Sequence, residues 1–286
     1  MCSTFSEELS PEMASALIDR LTKVQERREQ QRLFYRLFPD EDMVQPDGSV
    51  IHARHKYAKH LEFFEAGAKY RERCFMAANR VGKTLGAGGF ETAAHLTGEY
   101  PRWWNGRRFE KPVKWWAAGR TNETTRDIVQ ATLLGSIAQR GGRKHFDGTG
   151  VVPGEALGAL SWKQGVSDLV DTIKVRHTSG GWSALGFKSY QQGRGSFEGT
   201  TLHGIWLDEE PPLDVYGECL IRTATTDGII MLTFTPLGGM SEVVMGFLPG
   251  DDGGQFRVEA HERFQSGPSR SRQPGGQVAP DIASFS

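Results

Sequence analysis

The chain is 286 residues long with 34 Lys and Arg against 35 Asp and Glu, a formal charge of -1 and a sequence pI near 6.7, so no global positive field marks a nucleic-acid binder and any such contact must come from local patches. A hydrophobic fraction of 38% supports one large α/β domain with additions, or two small domains, while no apolar run approaches the ~18 residues that span a bilayer and no basic-then-apolar leader opens the chain. Cys2, Cys74 and Cys219 stand far apart, with neither metal spacing nor a disulfide framework, as expected of a soluble protein in a reducing cytosol.

In chain order, Ser10-Pro11-Glu12 has the form of a helix start, with Ser10 as cap and Pro11 at the first helical position. Met13, Leu17, Leu21 and Val24 then recur on one face. A polar run over 26–32 and an apolar cluster of Leu33, Phe34, Leu37 and Phe38 follow, closed by Pro39. The pattern predicts a long helix that lies on a larger body or is offered to a partner. Residues 40–56 read as a loop, and a helix over about 56–70 carries Tyr57, Leu61 and Phe64 on one side. Tyr57, His60 and Phe64 are placed either to stack on a nucleotide base or simply to fill core.

The next stretch carries chemistry. Cys74-Phe75-Met76 is a short apolar strand, Ala77-Ala78-Asn79-Arg80-Val81-Gly82-Lys83-Thr84 is a loop, and Leu85 to Leu96 is a glycine-rich helix. A strand, a turn ending in Gly-Lys-Thr and a helix N-terminus make a phosphate cradle: backbone N–H groups and the helix dipole favour negative charge. Lys83 adds a cation and the Thr84 hydroxyl can hold Mg²⁺. The pattern G-x-x-x-x-G-K-[ST] has Ala77 where its first glycine would stand. Gly86, Gly88 and Gly89 weaken the helix by ~1 kcal/mol each, so close packing on a sheet has to compensate.

Pro101 to Phe109 mixes Arg102, Arg107 and Arg108 with Trp103 and Trp104, the composition of a single-strand or backbone contact or of a surface loop anchored by tryptophans. Val113 to Ala118 is a second buried strand, and Thr121 caps a helix through Ile137, the βα rhythm of a parallel sheet. Gln139 to Gly165 reads as an extended connection facing DNA or a neighbouring subunit, with Arg140, Arg143 and Lys144 clustered. Residues 171–177 and 182–188 flank Thr178-Ser179-Gly180-Gly181, a hairpin signal. Leu202 to Leu207 is an apolar strand ending in Asp208-Glu209-Glu210: Asp208 would hold Mg²⁺ through its hydration shell and Glu209 would polarise an attacking water. A further apolar strand, 228–234, ends in Thr235-Pro236, where a polar tip beside the phosphate loop could sense the γ-phosphate. The tail, 263–286, has 11 Ser, Gly or Pro residues among its 24 and no periodic apolar face, and is expected to be disordered.

Together, the loop Ala77 to Thr84, the run Gly204 to Pro211 and Thr233-Phe234-Thr235-Pro236 resemble the ATPase half of a tailed-phage terminase large subunit, over about residues 50–260. The resemblance implies an α/β fold, a three-layer P-loop NTPase of ASCE/RecA-like type with a mainly parallel central sheet and an N-terminal helical extension, the phosphate loop and acidic strand side by side. It divides the chain into a helical extension and linker at 1–55, an ATPase domain at 56–262 and a flexible tail at 263–286. It implies ATP and Mg²⁺ as cofactors, with Ala78, Asn79, Arg80, Val81, Gly82, Lys83 and Thr84 on the nucleotide, Thr84 and Asp208 on the metal, Glu209 as catalytic carboxylate, and Thr233 and Thr235 coupling hydrolysis to movement. Arg194, in Arg194-Gly195, is the nearest match to a trans-acting finger, with Arg143 second. The implied partners are double-stranded DNA, further copies in a homo-oligomeric ring, a portal protein and a terminase small subunit, in the cytoplasm of an infected or lysogenic host cell and with no membrane. No glutamine lies between Gln45 and Gln130 to contact adenine, and no nuclease domain is expected in this chain. The competing functions are another nucleic-acid-dependent P-loop ATPase, of helicase or repair type, and an ATP-binding assembly protein without motor activity.

Overall fold

A computed structural model describes residues 10–78, 81–236, 239, 241–248 and 282–285, with the side chains of 24–31, 140 and 282–285 left aside. Its helices are α1 (Pro11–Gln31), α2 (Leu33–Arg36), α3 (Ala58–Ala66), α4 (Phe90–Thr97), α5 (Asn122–Thr124), α6 (Ala131–Leu134), α7 (Leu213–Ala224) and α8 (Glu242–Phe247). Its strands are β1 (Met43–Val44), β2 (Val50–Ile51), β3 (Glu72–Met76), β4 (Lys114–Gly119), β5 (Ile137–Arg140), β6 (Arg143–Phe146), β7 (Leu157–Trp162), β8 (Val170–Arg176), β9 (Trp182–Ser189), β10 (Gly204–Asp208), β11 (Ile229–Phe234) and β12 (Ile282–Phe285). Eight strands form one sheet in the order β12-β3-β11-β10-β4-β9-β8-β7. The six from β12 to β9 are parallel, and β8 and β7 extend the sheet as an antiparallel meander.

Each face of this sheet has its own core. One holds Phe63, Phe75, Phe90, Trp115, Leu185 and Trp206 beneath α3, α4 and α6; the other holds Cys74, Ile205, Leu207, Leu232, Val215 and Phe247 beneath α7 and α8. The result is the expected three-layer α/β architecture. Strand β3 is the tie between the layers. All five of its residues are buried, including two charged ones that lie just before the apolar run visible in sequence. Side chains alternate across a strand, so Glu72 accepts the Tyr216 hydroxyl of α7 on one face, while on the other Arg73 grips Glu91 of α4 through two bonds of 2.9 and 2.7 Å. Arg73 also donates to the Phe63 carbonyl, and His95 binds Glu91 at 3.0 Å and the Tyr100 hydroxyl at 2.9 Å.

Several expectations need correction. The sheet order inserts β11 between β3 and β10, so the phosphate-loop strand and the acidic strand are not side by side. The stretch 139–165 contains β6 and β7 and is not merely an extended connection. Gly141 and Gly142 both take positive φ, +57° and +75°, as the β5–β6 hairpin turn requires. The preceding helix stops at Leu134, before Gly135 with φ of +85°, rather than at Ile137, where β5 begins. In the expected tail, 282–285 is an edge strand parallel to β3, and 263–281 lie outside the described residues. Helix α1 forms with Ser10 accepting from the Met13 amide, but Met13, Leu17, Ile18 and Leu21 stay exposed.

Removing one partner of a fully buried ion pair strands the other charge and costs about 3–5 kcal/mol. Glu91→Ala should lower the urea-unfolding free energy by about that amount; a loss within ~0.5 kcal/mol, the range of a surface substitution, would show that Arg73 is not held as described.

Candidate active site

The parallel strands β3, β11 and β10 end at one edge of the sheet, and the functional side chains gather there. After β3 the chain reaches Gly82, whose φ of +83° is the left-handed region open to glycine. It then enters a wide π-helical turn, Lys83–Gly89, that continues into α4. Wide turns of this kind are frequent at functional sites. The turn can lie directly on the sheet because Gly88 has no side chain: a Cβ there would be 2.1 Å from Trp206 Nε1. Gly88, one of the glycines that weaken this helix, is thus the one that lets it approach β10, in keeping with the close packing the sequence called for.

On β11, Thr233 stands in register with Asp208 on one side and with Phe75 on the other. The Thr84 hydroxyl donates to Asp208 Oδ1 at 3.0 Å, and Thr233 donates to the same oxygen at 2.7 Å. Trp206 in turn donates its indole N–H to Thr233 Oγ1 at 2.8 Å. An indole N–H only donates, so the Thr233 hydroxyl accepts there and directs its hydrogen to the carboxylate. Two residues further on, Thr235 accepts from Lys83 Nζ at 2.8 Å and donates to the Ala77 carbonyl at 2.9 Å; Lys83 also donates to the Ala78 carbonyl at 2.8 Å.

In an extended strand adjacent side chains point to opposite faces, so Asp208 and Glu209 could not both serve one pocket. Glu209 resolves this with φ of +65°, a left-handed conformation that costs about 1–2 kcal/mol for an L-residue. Its amide donates to the Thr233 carbonyl at 3.0 Å, and the Tyr190 hydroxyl lies 2.9 Å from the Asp208 carbonyl and 3.0 Å from that of Glu209. The Glu209 side chain is exposed and makes no hydrogen bond among the described residues. Glu210 is engaged elsewhere, accepting the Ser241 hydroxyl.

The charged groups lie close enough to act on one another. Burial lowers the pKa of Lys83, while the nearby charges of Glu209 and Asp208 oppose that fall. Burial pushes the Asp208 carboxyl up to about 6, against the Thr233 and Thr84 hydroxyls that pull it down.

A family model described as terminase large subunit, T4likevirus-type, N-terminal, matches residues 74–273. The chain belongs to this terminase family. The terminase large subunit of Salmonella phage P22 is 43% identical over 211 residues, which make up 67% of this chain and 41% of that protein; the chain therefore spans less than half of that relative. Among solved structures, an arginine-to-alanine mutant of the large terminase ATPase domain of Thermus phage P74-26 superposes with a TM-score of 0.42 at 15% identity, over 80% of this chain and 84% of that one. The large terminase of a thermophilic bacteriophage in complex with ADP gives 0.39 at 14%, over 62% and 38%.

Of the residues the terminase resemblance singled out, the structure brings together Ala78, Gly82, Lys83, Thr84, Asp208, Glu209, Thr233 and Thr235. Val81 is exposed beside them, and Asn79 and Arg80 lie outside the described residues. Arg194 makes its contacts elsewhere, at 3.1 Å from Glu218 and 3.9 Å from Glu198. Arg143 sits exposed at the β5–β6 turn. His60 and Phe64 are buried among Phe38, Phe75 and Phe90, and His60 lies 3.5 Å from the Gly82 carbonyl, so these rings support the loop from below as core. Trp104 is likewise buried, with its indole on the Arg107 carbonyl, and Arg108 packs over Tyr100; the 101–109 segment is the tryptophan-anchored loop. Sequence reasoning missed Trp206 and Tyr190. Trp206 had a signal, an indole two residues before Asp208 and so on the same strand face, but Tyr190 had none.

A carboxyl whose folded pKa lies above its unfolded value near 3.9 makes the folded state lose stability as pH rises from about 4 to about 6, here by up to about 3 kcal/mol. Asp208→Asn keeps the acceptor oxygen and removes the charge. In metal-free buffer it should be the more stable protein at pH 7.5, with the gap in urea-unfolding free energy closing toward pH 4. A gap independent of pH would show that Asp208 is not held in a site that resists its charge.

Proposed function

We propose that this chain is the ATP-hydrolysing part of a DNA-packaging motor. One observation carries the reading: β11 and the residue just past its end touch both halves of the pocket, with Thr233 on Asp208 and Thr235 on Lys83. A strand wired to the carboxylate and to the phosphate-loop lysine is built to feel whether a nucleotide is there.

Backbone N–H groups from 78–84, the turn's N-terminal dipole and the Lys83 ammonium bind the β- and γ-phosphates. The Thr84 hydroxyl and the Asp208 carboxylate are hard oxygen donors 3.0 Å apart, a set that suits a Mg²⁺ keeping several of its waters. When bound, Mg²⁺ neutralises charge on the phosphate oxygens. Glu209, exposed and near enough for its charge to act on Lys83, orients a water and takes its proton as the water oxygen bonds to the γ-phosphorus; the bond from that phosphorus to the bridging oxygen breaks, and ADP and phosphate leave. Lys83 must leave the Ala78 carbonyl and Thr235 to reach a γ-phosphate, so binding frees the tip of β11 and loss of phosphate returns it. That exchange is the coupling step, and Thr233 reports the same events through Asp208.

The substrate moved would be double-stranded DNA, by a homo-oligomeric ring acting with a portal protein and a terminase small subunit in the host cytoplasm. Family membership and the 43% identity to the P22 protein support this. Among the described residues no helix is long and apolar enough to cross a membrane. Arg194 is the candidate finger toward a neighbouring copy; a finger of this kind is worth on the order of 10³–10⁵ in rate. In that role it would exchange Glu218 for the neighbour's phosphate.

The test is DNA-stimulated ATP turnover. Lys83→Ala should lose nucleotide binding together with turnover, whereas Glu209→Gln should keep ATP affinity within about twofold and lose ~10²-fold or more in kcat. Equal turnover by wild type and Glu209→Gln would remove Glu209 from the chemistry, and turnover indifferent to both changes would remove the whole reading.

A further inference from the structure

We infer that Tyr190 is a positioning residue for hydrolysis: its phenol clamps the backbone turn that aims Glu209 into the pocket. The inference rests on the hydrolytic reading above. In a regular strand, consecutive carbonyls point to opposite sides, so one donor cannot meet both. The Asp208 and Glu209 carbonyls nevertheless converge on the Tyr190 hydroxyl at 2.9 and 3.0 Å, because Glu209 is left-handed at φ +65°. The hydroxyl is thus matched to the turned backbone and not to the extended one. If Glu209 relaxed to an extended conformation, its carboxylate would swing toward the other face and one carbonyl would leave the phenol.

The clamp is well placed to hold. Tyr190 is 6% exposed, and its ring packs beside Phe197 in the core on the α7 face. Burial and the carboxylates of Asp208 and Glu209 keep the phenol protonated and hence a donor. The 3₁₀ turn Tyr190–Gln192 is itself fixed by reciprocal bonds between Ser189 and Gln192, and the Ser189 hydroxyl donates to Asn122 at 2.8 Å. The arrangement links β9 and the start of α5 to the catalytic doublet at the end of β10. Strain at position 209 persists only where the surroundings over-determine it, and Tyr190 with the Thr233 carbonyl supplies that constraint. Because the phenol's bonds among the described residues go to backbone carbonyls, it acts on Glu209 through geometry.

Tyr190→Phe removes one oxygen and leaves the ring in its packing. The experiment measures kcat, KM for ATP and ATP affinity in wild type, Tyr190→Phe, Glu209→Gln and the double variant. In the Glu209-bearing protein, Tyr190→Phe should lower kcat about tenfold, with KM and ATP affinity within twofold. In the Glu209→Gln background it should change the residual turnover by less than twofold, since the side chain being aimed no longer serves as a base. An unchanged kcat overturns the inference, as does a joint loss of ATP binding and turnover, which marks damage to the fold, or an equal fold-loss in both backgrounds. Absence of turnover in wild type would remove the hydrolytic reading and this inference with it, and is distinguished by needing no variant.

Discussion

The Asp208 carboxylate, buried at the tip of β10 and receiving hydroxyls from Thr84 on one side and Thr233 on the other, is the interaction on which the rest of the structure depends. It joins the phosphate loop, the acidic strand and the strand between them into one object. Each hydroxyl donates to a charged acceptor, the stronger class of hydrogen bond, yet burial still holds the carboxyl near 6. Burial thus works against the ionised carboxylate, and the two hydroxyls work for it.

The insertion of β11 between β3 and β10 gives the proposed pocket a third element in contact with both of its halves. Were β3 and β10 neighbours, Lys83 and Asp208 could be fixed by direct contact and no third element would register their state. With β11 between them, Thr233 on the strand and Thr235 just past its end each hold one side of the pocket, and Ser241, the cap of α8, binds Glu210. The sheet must stay rigid for a shift at that tip to be transmitted. The buried Arg73–Glu91 pair and the Glu72–Tyr216 bond provide rigidity by tying β3 to the helices of both layers. Such pairs are a weak source of net stability, and here their value lies in fixing the strand from which the phosphate loop departs.

Much of this was legible in the sequence for physical reasons. Lys83, Thr84, Asp208 and Glu209 belong to short motifs in which chemistry dictates residue type, and the apolar strands before them announce themselves by composition. The close approach at Gly88 followed from the glycines alone. What stayed hidden depended on tertiary context. The charges of Glu72 and Arg73 disguised the start of β3, because a strand buried on both faces is expected to be apolar and only the partners Tyr216 and Glu91 make the exception possible. The order of β10 and β11 in the sheet is a property of long-range pairing that no local pattern encodes. The hairpin at Gly141-Gly142 carried a usable signal that the charge cluster around it obscured. Tyr190 could not have been found, since what it recognises is a backbone conformation and not a side chain.

The stretch matched by the terminase family, 74–273, contains every motif that carried the resemblance. In the proposed function, Gly82 to Thr84 and the doublet Asp208-Glu209 close around one nucleotide, with Thr233 and Thr235 between them. The most direct measurement is a structure of the Glu209→Gln protein with Mg²⁺ and a non-hydrolysable ATP analogue. The account predicts the triphosphate between the 82–84 amides and Asp208, with Lys83 on the γ-phosphate and released from Thr235. A nucleotide bound away from that edge of the sheet, or a Lys83 still held by Ala78 and Thr235 with the analogue in place, would contradict it.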